Sequence, residues 1–122
     1  SYMFGSFSQF GESNLGQTVL VGGTTLQTRI QLQTPVIAAG NYRVDFAYNA
    51  IRNTGSTYRL TSVVEVDGVR LSYFYSPLDE RSYSDFFFTT FESSAAHTIR
   101  LAFNTSNVSY TVSEAKLHIF RV

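Results

Sequence analysis

Apolar and polar residues alternate along most of this 122-residue chain. Between residues 26 and 33, every second side chain is leucine, isoleucine or threonine, and the side chains between them are glutamine or arginine. Residues 42–48 repeat this period of two with tyrosine, valine and phenylalanine. Alternation places successive side chains on opposite faces of a strand, and no stretch of helical length shows apolar residues three and four apart. The pattern therefore predicts β-strands with one buried face.

Turn residues separate the alternating stretches from one another. Pro35 and Gly40 divide the first two strands, since proline cannot donate to a β-ladder. Asp67-Gly68 predicts a tight hairpin, because both central residues of a type I′ turn need positive φ. A change of phase near Ser113 predicts a bulge inside the last strand. The predicted strands cover residues 26–33, 42–48, 58–66, 69–75, 83–91, 97–103, and 110–112 continued by 115–122.

Seven or eight short strands at this spacing predict an all-β fold, an antiparallel, jelly-roll-like β-sandwich. A chain of this length forms a single domain, residues 1–122, because a second core would not fit. Residues 1–20 are expected to form an N-terminal arm or an edge strand. Met3 is expected to be the natural start of a short gene product.

Two aromatic runs break the alternation. Residues 73–75 (YFY) and 86–88 (FFF) place aromatic rings on both faces of their strands. An exposed apolar patch of more than a few hundred Å² is uncommon on a monomer and marks an interaction site. The second face of these strands must therefore be covered by something.

Three interpretations of the aromatic runs stay open. In the first, both are central strands covered by the N-terminal segment. In the second, the chain forms a symmetric homo-oligomer with Phe74, Phe86 and Phe88 in the interface. In the third, exposed tyrosines form a glycan-binding platform, although phenylalanine offers a sugar no hydrogen bond. The tyrosines of this platform would be Tyr58, Tyr73, Tyr75 and Tyr83.

Composition removes several classes of function. The chain has no cysteine, which excludes disulfides, thiolate zinc sites and cysteine nucleophiles. Its nine basic residues balance nine acidic ones without clustering, so no nucleic-acid partner is expected. No apolar run approaches the roughly 20 residues needed to cross a bilayer, so no membrane partner is expected.

The inventory of reactive side chains does not suggest catalysis. His97 and His118 are far apart in sequence and lie in predicted strands, where structural roles are expected. The acidic residues flank turns, where solvated carboxylates are ordinary, and they lack the regular spacing of a calcium loop. We therefore expect no enzyme activity, no catalytic residue, no metal and no cofactor. The acidic residues considered are Glu65, Asp79, Glu80 and Asp85.

Four motifs follow one another in the chain: residues 39–48 (AGNYRVDFAY), 64–69 (VEVDGV), 96–103 (AHTIRLAF) and 115–122 (AKLHIFRV). In this order they resemble small β-sandwich domains of bacteriophage virion proteins, of the kind found in head decoration proteins and fibre heads. The resemblance spans residues 34–122 and implies a non-enzymatic structural protein located in the virion. It further implies self-association, surface adhesion and a capsid or tail protein as partner.

The same motif order also resembles carbohydrate-binding jelly-roll modules. That likeness implies a secreted or extracellular protein that binds a surface glycan. The chain departs from those modules in having no tryptophan, the residue on which they usually stack a sugar. A looser resemblance to the C1q and tumour-necrosis-factor jelly rolls rests on Gly40-x-Tyr42 and the aromatic strands, and it favours a homotrimer.

Overall fold

A computed structural model describes residues 2–3, 9–20, 25–53, 60–76, 81–105 and 109–122, with the backbone alone described at 2–3, 72–76 and 81. Its described secondary structure consists of strands. These are β1 (Tyr2–Met3), β2 (Gln9–Leu20), β3 (Gln27–Gln33), β4 (Gly40–Arg52), β5 (Leu60–Val66), β6 (Val69–Ser76), β7 (Arg81–Phe91), β8 (Thr98–Thr105) and β9 (Tyr110–Arg121).

The strands form two antiparallel sheets in a jelly-roll arrangement. The first sheet has the order β1-β2-β9-β4-β7, and the second has the order β3-β8-β5-β6. Strands far apart in the chain are paired as β2 with β9, β3 with β8 and β4 with β7, around the β5–β6 hairpin. Such nested pairs are the mark of a jelly roll. Eight long strands and the two-residue β1 confirm the predicted all-β sandwich.

The core lies between the two sheets and is filled by the inward residues of alternating strands. On β4, every second side chain from Tyr42 to Ala50 is buried, as the period of two predicts. Two core tyrosines keep their hydroxyls bonded: Tyr48 donates to Ser62 Oγ at 3.1 Å and Tyr42 to the Ala38 carbonyl at 2.8 Å. These bonds let large amphipathic rings fill the core without leaving a buried hydroxyl unpaired.

Both predicted backbone irregularities are confirmed. Asp67 and Gly68 have φ values of 52° and 83° in the turn between β5 and β6. Glu114 also has a positive φ of 52°, at the point where the pairing of β9 with β4 shifts register. The bulge lies inside one continuous strand, β9, which includes both segments predicted around Ser113.

The aromatic runs lie on edge strands. β6 ends the second sheet and β7 ends the first, so the interpretation of both as central strands is wrong. Sequence patterning could not distinguish the cases, because strand order depends on pairings between distant segments. β2 lies between β9 and β1, and the described pairing of β1 is with Phe10 and Gly11.

Candidate functional site

The outer face of the first sheet gathers side chains from β7, β4 and β9. Residues directly opposite each other on neighbouring strands project from the same face, and the register of these strands sets nine side chains in three rows. Read from β7 through β4 to β9, the rows are Phe88–Arg43–Phe120, Phe86–Asp45–His118 and Ser84–Ala47–Lys116. The buried residues of β4 point to the other face, so this surface is directed away from the core.

Three phenylalanines and an arginine on this face form what we call the aromatic patch: Phe86, Phe88, Phe120 and Arg43. Phe86 and Phe88 are 46% and 62% exposed, and their ring centroids lie 5.8 Å apart in an edge-to-face arrangement. The guanidinium carbon of Arg43 lies 3.9 Å from the Phe86 centroid and 5.8 Å from that of Phe120. Arg43, on β4, thus links the neighbouring strands β7 and β9 through contacts of its guanidinium with the Phe86 and Phe120 rings.

Asp45 fixes the position of the arginine. Arg43 Nε lies 2.6 Å from Asp45 Oδ1, and both side chains are partly exposed. An exposed ion pair contributes little to stability. The role of this ion pair is to orient Arg43, because it holds the guanidinium between the Phe86 and Phe120 rings.

A groove opens beside the aromatic patch, above the small side chain of Ala47. It has a volume of about 450 Å³ and is flanked by Phe86 and Ser84 on one side and by Lys116 and His118 on the other. A second recess of about 200 Å³ adjoins it through Ala47, Ser84 and Lys116. The recess ends near the bulge, where Asn49 Nδ2 donates to Glu114 Oε2 at 2.7 Å.

Asp85 occupies the free edge of β7. Its Oδ1 accepts the Phe86 backbone N–H at 2.7 Å, and its Oδ2 accepts the Tyr83 hydroxyl at 2.9 Å. β4 is the neighbour of β7 in the sheet, and an amide directed at β4 would donate to a carbonyl there. The Phe86 amide therefore faces the open edge, where a charged side chain discourages pairing with another strand.

Tyr83 lies on the face of β7 opposite to the aromatic patch. Its ring packs against the core, with centroids 5.6 Å from Tyr48 and 6.2 Å from Phe46. Burial raises its pKa from 10.0 to about 12, and the hydrogen bond to Asp85 and the charge of that carboxylate add to the increase.

This raised pKa predicts a loss of stability at high pH. The folded protein holds the phenol proton more tightly than the unfolded chain, so the contribution is complete below pH 10 and is lost as pH rises through about 12. We expect Asp85→Asn to lower the Tyr83 pKa toward 10, because the carboxylate charge disappears. The titration can be followed by NMR of the tyrosine ring carbons, with Tyr83→Phe assigning the resonance. An unchanged pKa in Asp85→Asn would contradict the role given to the carboxylate.

The structure brings together two of the residues predicted for an oligomer interface. Phe86 and Phe88 are neighbours on the exposed face of β7, whereas Phe74 belongs to β6 in the other sheet and its side chain is outside the described part. Among the tyrosines proposed for glycan binding, Tyr83 faces the core side. Tyr58 lies outside the described residues, and Tyr73 and Tyr75 are described in β6 by their backbone alone.

Sequence reasoning missed the partners of Phe86 and Phe88. Arg43 and Phe120 stand at outward positions of two predicted strands, and Lys116 and His118 occupy outward positions of the last one. Alternation alone could have assigned them to an outer face. Placing them beside β7 required the pairing of β4 with both β7 and β9, which no local pattern encodes.

The other histidine, His97, makes contacts that hold neighbouring segments together. Its Nδ1 lies 2.6 Å from Asp67 Oδ2, and its ring stacks on Phe91 with centroids 3.5 Å apart. Thr34 Oγ1 accepts the His97 backbone N–H at 2.9 Å. These contacts tie the β5–β6 hairpin and the segment after β3 to the start of β8.

No group of three or more histidine, aspartate or glutamate side chains within the described ranges could hold a metal ion. Within the same ranges, no helix has the length and apolarity needed to cross a membrane. Asp79 and Glu80, considered as oxygen ligands, lie outside the described residues.

Comparisons with known proteins identify the fold and not a family. No protein-family model matches the chain, and no curated protein sequence matches it significantly. A chain of infectious bursal disease virus, Gx strain, has a TM-score of 0.55 at 7% identity, covering 93% of this chain and 32% of the viral one. Dimeric latent PorU from Porphyromonas gingivalis has a TM-score of 0.52 at 13% identity, covering 93% of this chain and 13% of PorU.

A third structure is closer to this chain in length. The CBM22-1 xylan-binding domain of Paenibacillus barcinonensis Xyn10C has a TM-score of 0.45 at 15% identity, covering 91% of this chain and 94% of that domain. At their low identities, the viral and PorU structures show a shared fold alone. This chain spans less than two thirds of the viral and PorU chains, so it corresponds to one part of each of them.

Proposed function

We propose that this domain is a non-enzymatic structural component of a virus particle, a phage capsid decoration or fibre-head domain that acts by self-association and surface adhesion. The observation that carries the proposal is the aromatic patch on the outer face of β7, β4 and β9. Its two most exposed rings, Phe86 and Phe88, project from an edge strand and not into the core.

Exposed rings in contact with each other are suited to a protein interface. Aromatic and arginine side chains are enriched among the residues that contribute most to binding between proteins, and the patch consists of these types. Phe86, Phe88 and Arg43 are already held in place by one another, so little side-chain freedom is lost on association. We favour a homotrimer, on the resemblance to trimeric jelly rolls.

The position of Asp85 favours association of two copies through their sheet faces and disfavours pairing of their β7 edge strands. The Asp85 carboxylate already accepts a hydrogen bond from the Phe86 backbone N–H. A second strand would need that N–H to extend the β-ladder. Copies of the domain can then meet through the exposed rings while the edge of β7 stays closed to strand addition.

The assignment to a virus particle has two supports. Four sequence motifs resemble phage virion domains, and the fold is shared with a chain of an icosahedral virus structure. The proposed location is the virion, and the proposed partner is a capsid or tail protein. The absence of catalysis is likewise a proposal, supported by the structural contacts of His97 with Asp67 and Phe91.

The second candidate function is that of a carbohydrate-binding module in a secreted protein. The groove beside Phe86 favours it, because aromatic surface next to several polar groups is the usual make-up of a ligand site. The two candidates differ in whether copies of the chain associate.

Light scattering over a wide concentration range tests the proposal. We expect a mass three times the chain mass of 13.7 kDa at high micromolar concentration. A chain that stays monomeric throughout that range would contradict self-association and favour the carbohydrate-binding module.

A further inference from the structure

The groove and the aromatic patch overlap at one end only. Arg43 and Phe86 belong to both, whereas Phe88 and Phe120 are not among the residues that line the groove. The groove continues to Ala47, four residues beyond Arg43 along β4, which is roughly 13 Å at about 3.3 Å per residue. An interface centred on Phe88 and Phe120 can therefore leave the Ala47 end of the groove open to solvent.

Several polar groups in the groove are available to a ligand. Among the described residues, the Lys116 ammonium and the Ser84 hydroxyl have no ion pair and no hydrogen bond, and both line the groove and its adjoining recess. Asp45 uses Oδ1 for Arg43, which leaves Oδ2 without a described partner. Donors and acceptors from three strands, β7, β4 and β9, thus lie around the apolar surface of Phe86.

The charges around the groove cancel. Arg43 and Lys116 contribute two positive charges to the groove, and Asp45 and Asp85 contribute two negative ones. Glu114 in the adjoining recess adds one negative charge, and its Oε2 accepts a hydrogen bond from Asn49. A ligand with a large charge of either sign would meet as much repulsion as attraction here. A neutral ligand rich in hydroxyl groups meets donors and acceptors without that penalty.

The shape of the site favours an elongated ligand. The volume of about 450 Å³ lies within the range of roughly 300–1,000 Å³ typical of small-molecule sites. The adjoining recess extends the space along β4 toward Asn49. A chain of linked rings fits such a channel better than a single compact molecule.

We propose that this groove binds a short neutral oligosaccharide laid along β4. One sugar ring lies over Ala47 and contacts the side of Phe86 that faces the groove, and its hydroxyls bond to Asp45, Ser84 and Lys116. Asp45, Ser84 and Lys116 supply the hydrogen bonds to the sugar that the Phe86 ring cannot form. This inference rests on the adhesion part of the proposed function and moves the glycan site from the tyrosines to the groove.

The experiment begins with the intact chain on an array of neutral and acidic oligosaccharides, followed by calorimetry on the best ligand. We expect binding to neutral oligosaccharides. Lys116→Met, which keeps most of the side-chain stem, should weaken binding by about tenfold or more, the loss expected for a hydrogen bond to a charged group. Ala47→Leu should weaken it at least as much, because the longer side chain fills the floor of the groove.

Gln31→Leu is the matched control. It adds the same side chain to the exposed face of β3 in the other sheet, away from the residues that line the groove. Its affinity should stay within about twofold of the original, since surface changes away from a site have small effects. The proposal would be overturned by the absence of any hit, by a preference for acidic glycans, or by variants Lys116→Met and Ala47→Leu that bind as tightly as the original chain.

A further variant distinguishes failure of this inference from failure of the proposed function. Phe88→Ser should dissociate the assembly and keep the affinity of each groove, because Phe88 is not among the residues that line it. A trimer that binds no saccharide would overturn the groove site alone. A monomer that binds saccharide through Lys116 would overturn self-association alone.

Discussion

Replacement of Phe103 by alanine is expected to lower the free energy of unfolding by about 3–5 kcal/mol, the usual cost of removing a fully buried aromatic ring. Phe103 lies on β8 with 1% of its surface exposed. Its ring meets Tyr48 of the opposite sheet edge-on, with centroids 4.8 Å apart. The cost is large because the substitution leaves a cavity between the two sheets.

Urea denaturation followed by circular dichroism measures this effect. Phe88→Ala is the matched control, because it removes the same atoms from an exposed site and should change the stability of the monomer by no more than about 0.5 kcal/mol. Similar losses in the two variants would contradict the division between a buried core and an exposed patch.

The double substitution of Phe86 and Phe88 by serine is expected to convert the assembly to monomers. Each interface aromatic of this kind contributes about 2 kcal/mol or more to association. Loss of both should therefore raise the dissociation constant by about a thousandfold. The fold should survive, since both rings are on the outer face of β7.

Light scattering of the double variant measures the change. Val36→Ser and Val69→Ser together form the control, because they also remove exposed apolar side chains but lie away from the patch. Dissociation by the control pair, or a double phenylalanine variant that still associates, would show that the contact surface lies elsewhere.

Much of the fold could be predicted because its local signals agree with one another. Alternation on residues 42–48 becomes the alternating burial of β4, and the Asp67-Gly68 pair forms the turn with positive φ. The phase change near Ser113 becomes a bulge at Glu114. Each of these features depends on backbone geometry within a few residues.

The candidate site could be predicted only in part. The run at residues 86–88 predicted rings on both faces of a strand. The structure places Phe87 against the core and Phe86 and Phe88 on the exposed outer face. The groove depends on the registers of β4 with β7 and β9. Those registers bring Lys116 beside Ala47, although the two residues are almost 70 positions apart.

Thiol protection tests the central claim most directly, because the chain has no cysteine and a single introduced thiol is unique. Thr90→Cys places it next to the patch on the outer face of β7, and Gln31→Cys places it on the exposed face of β3 in the other sheet. We predict that reaction with a bulky maleimide slows at position 90 as the protein assembles and stays constant at position 31. Equal rates at position 90 in dilute and assembled protein would contradict association through this face.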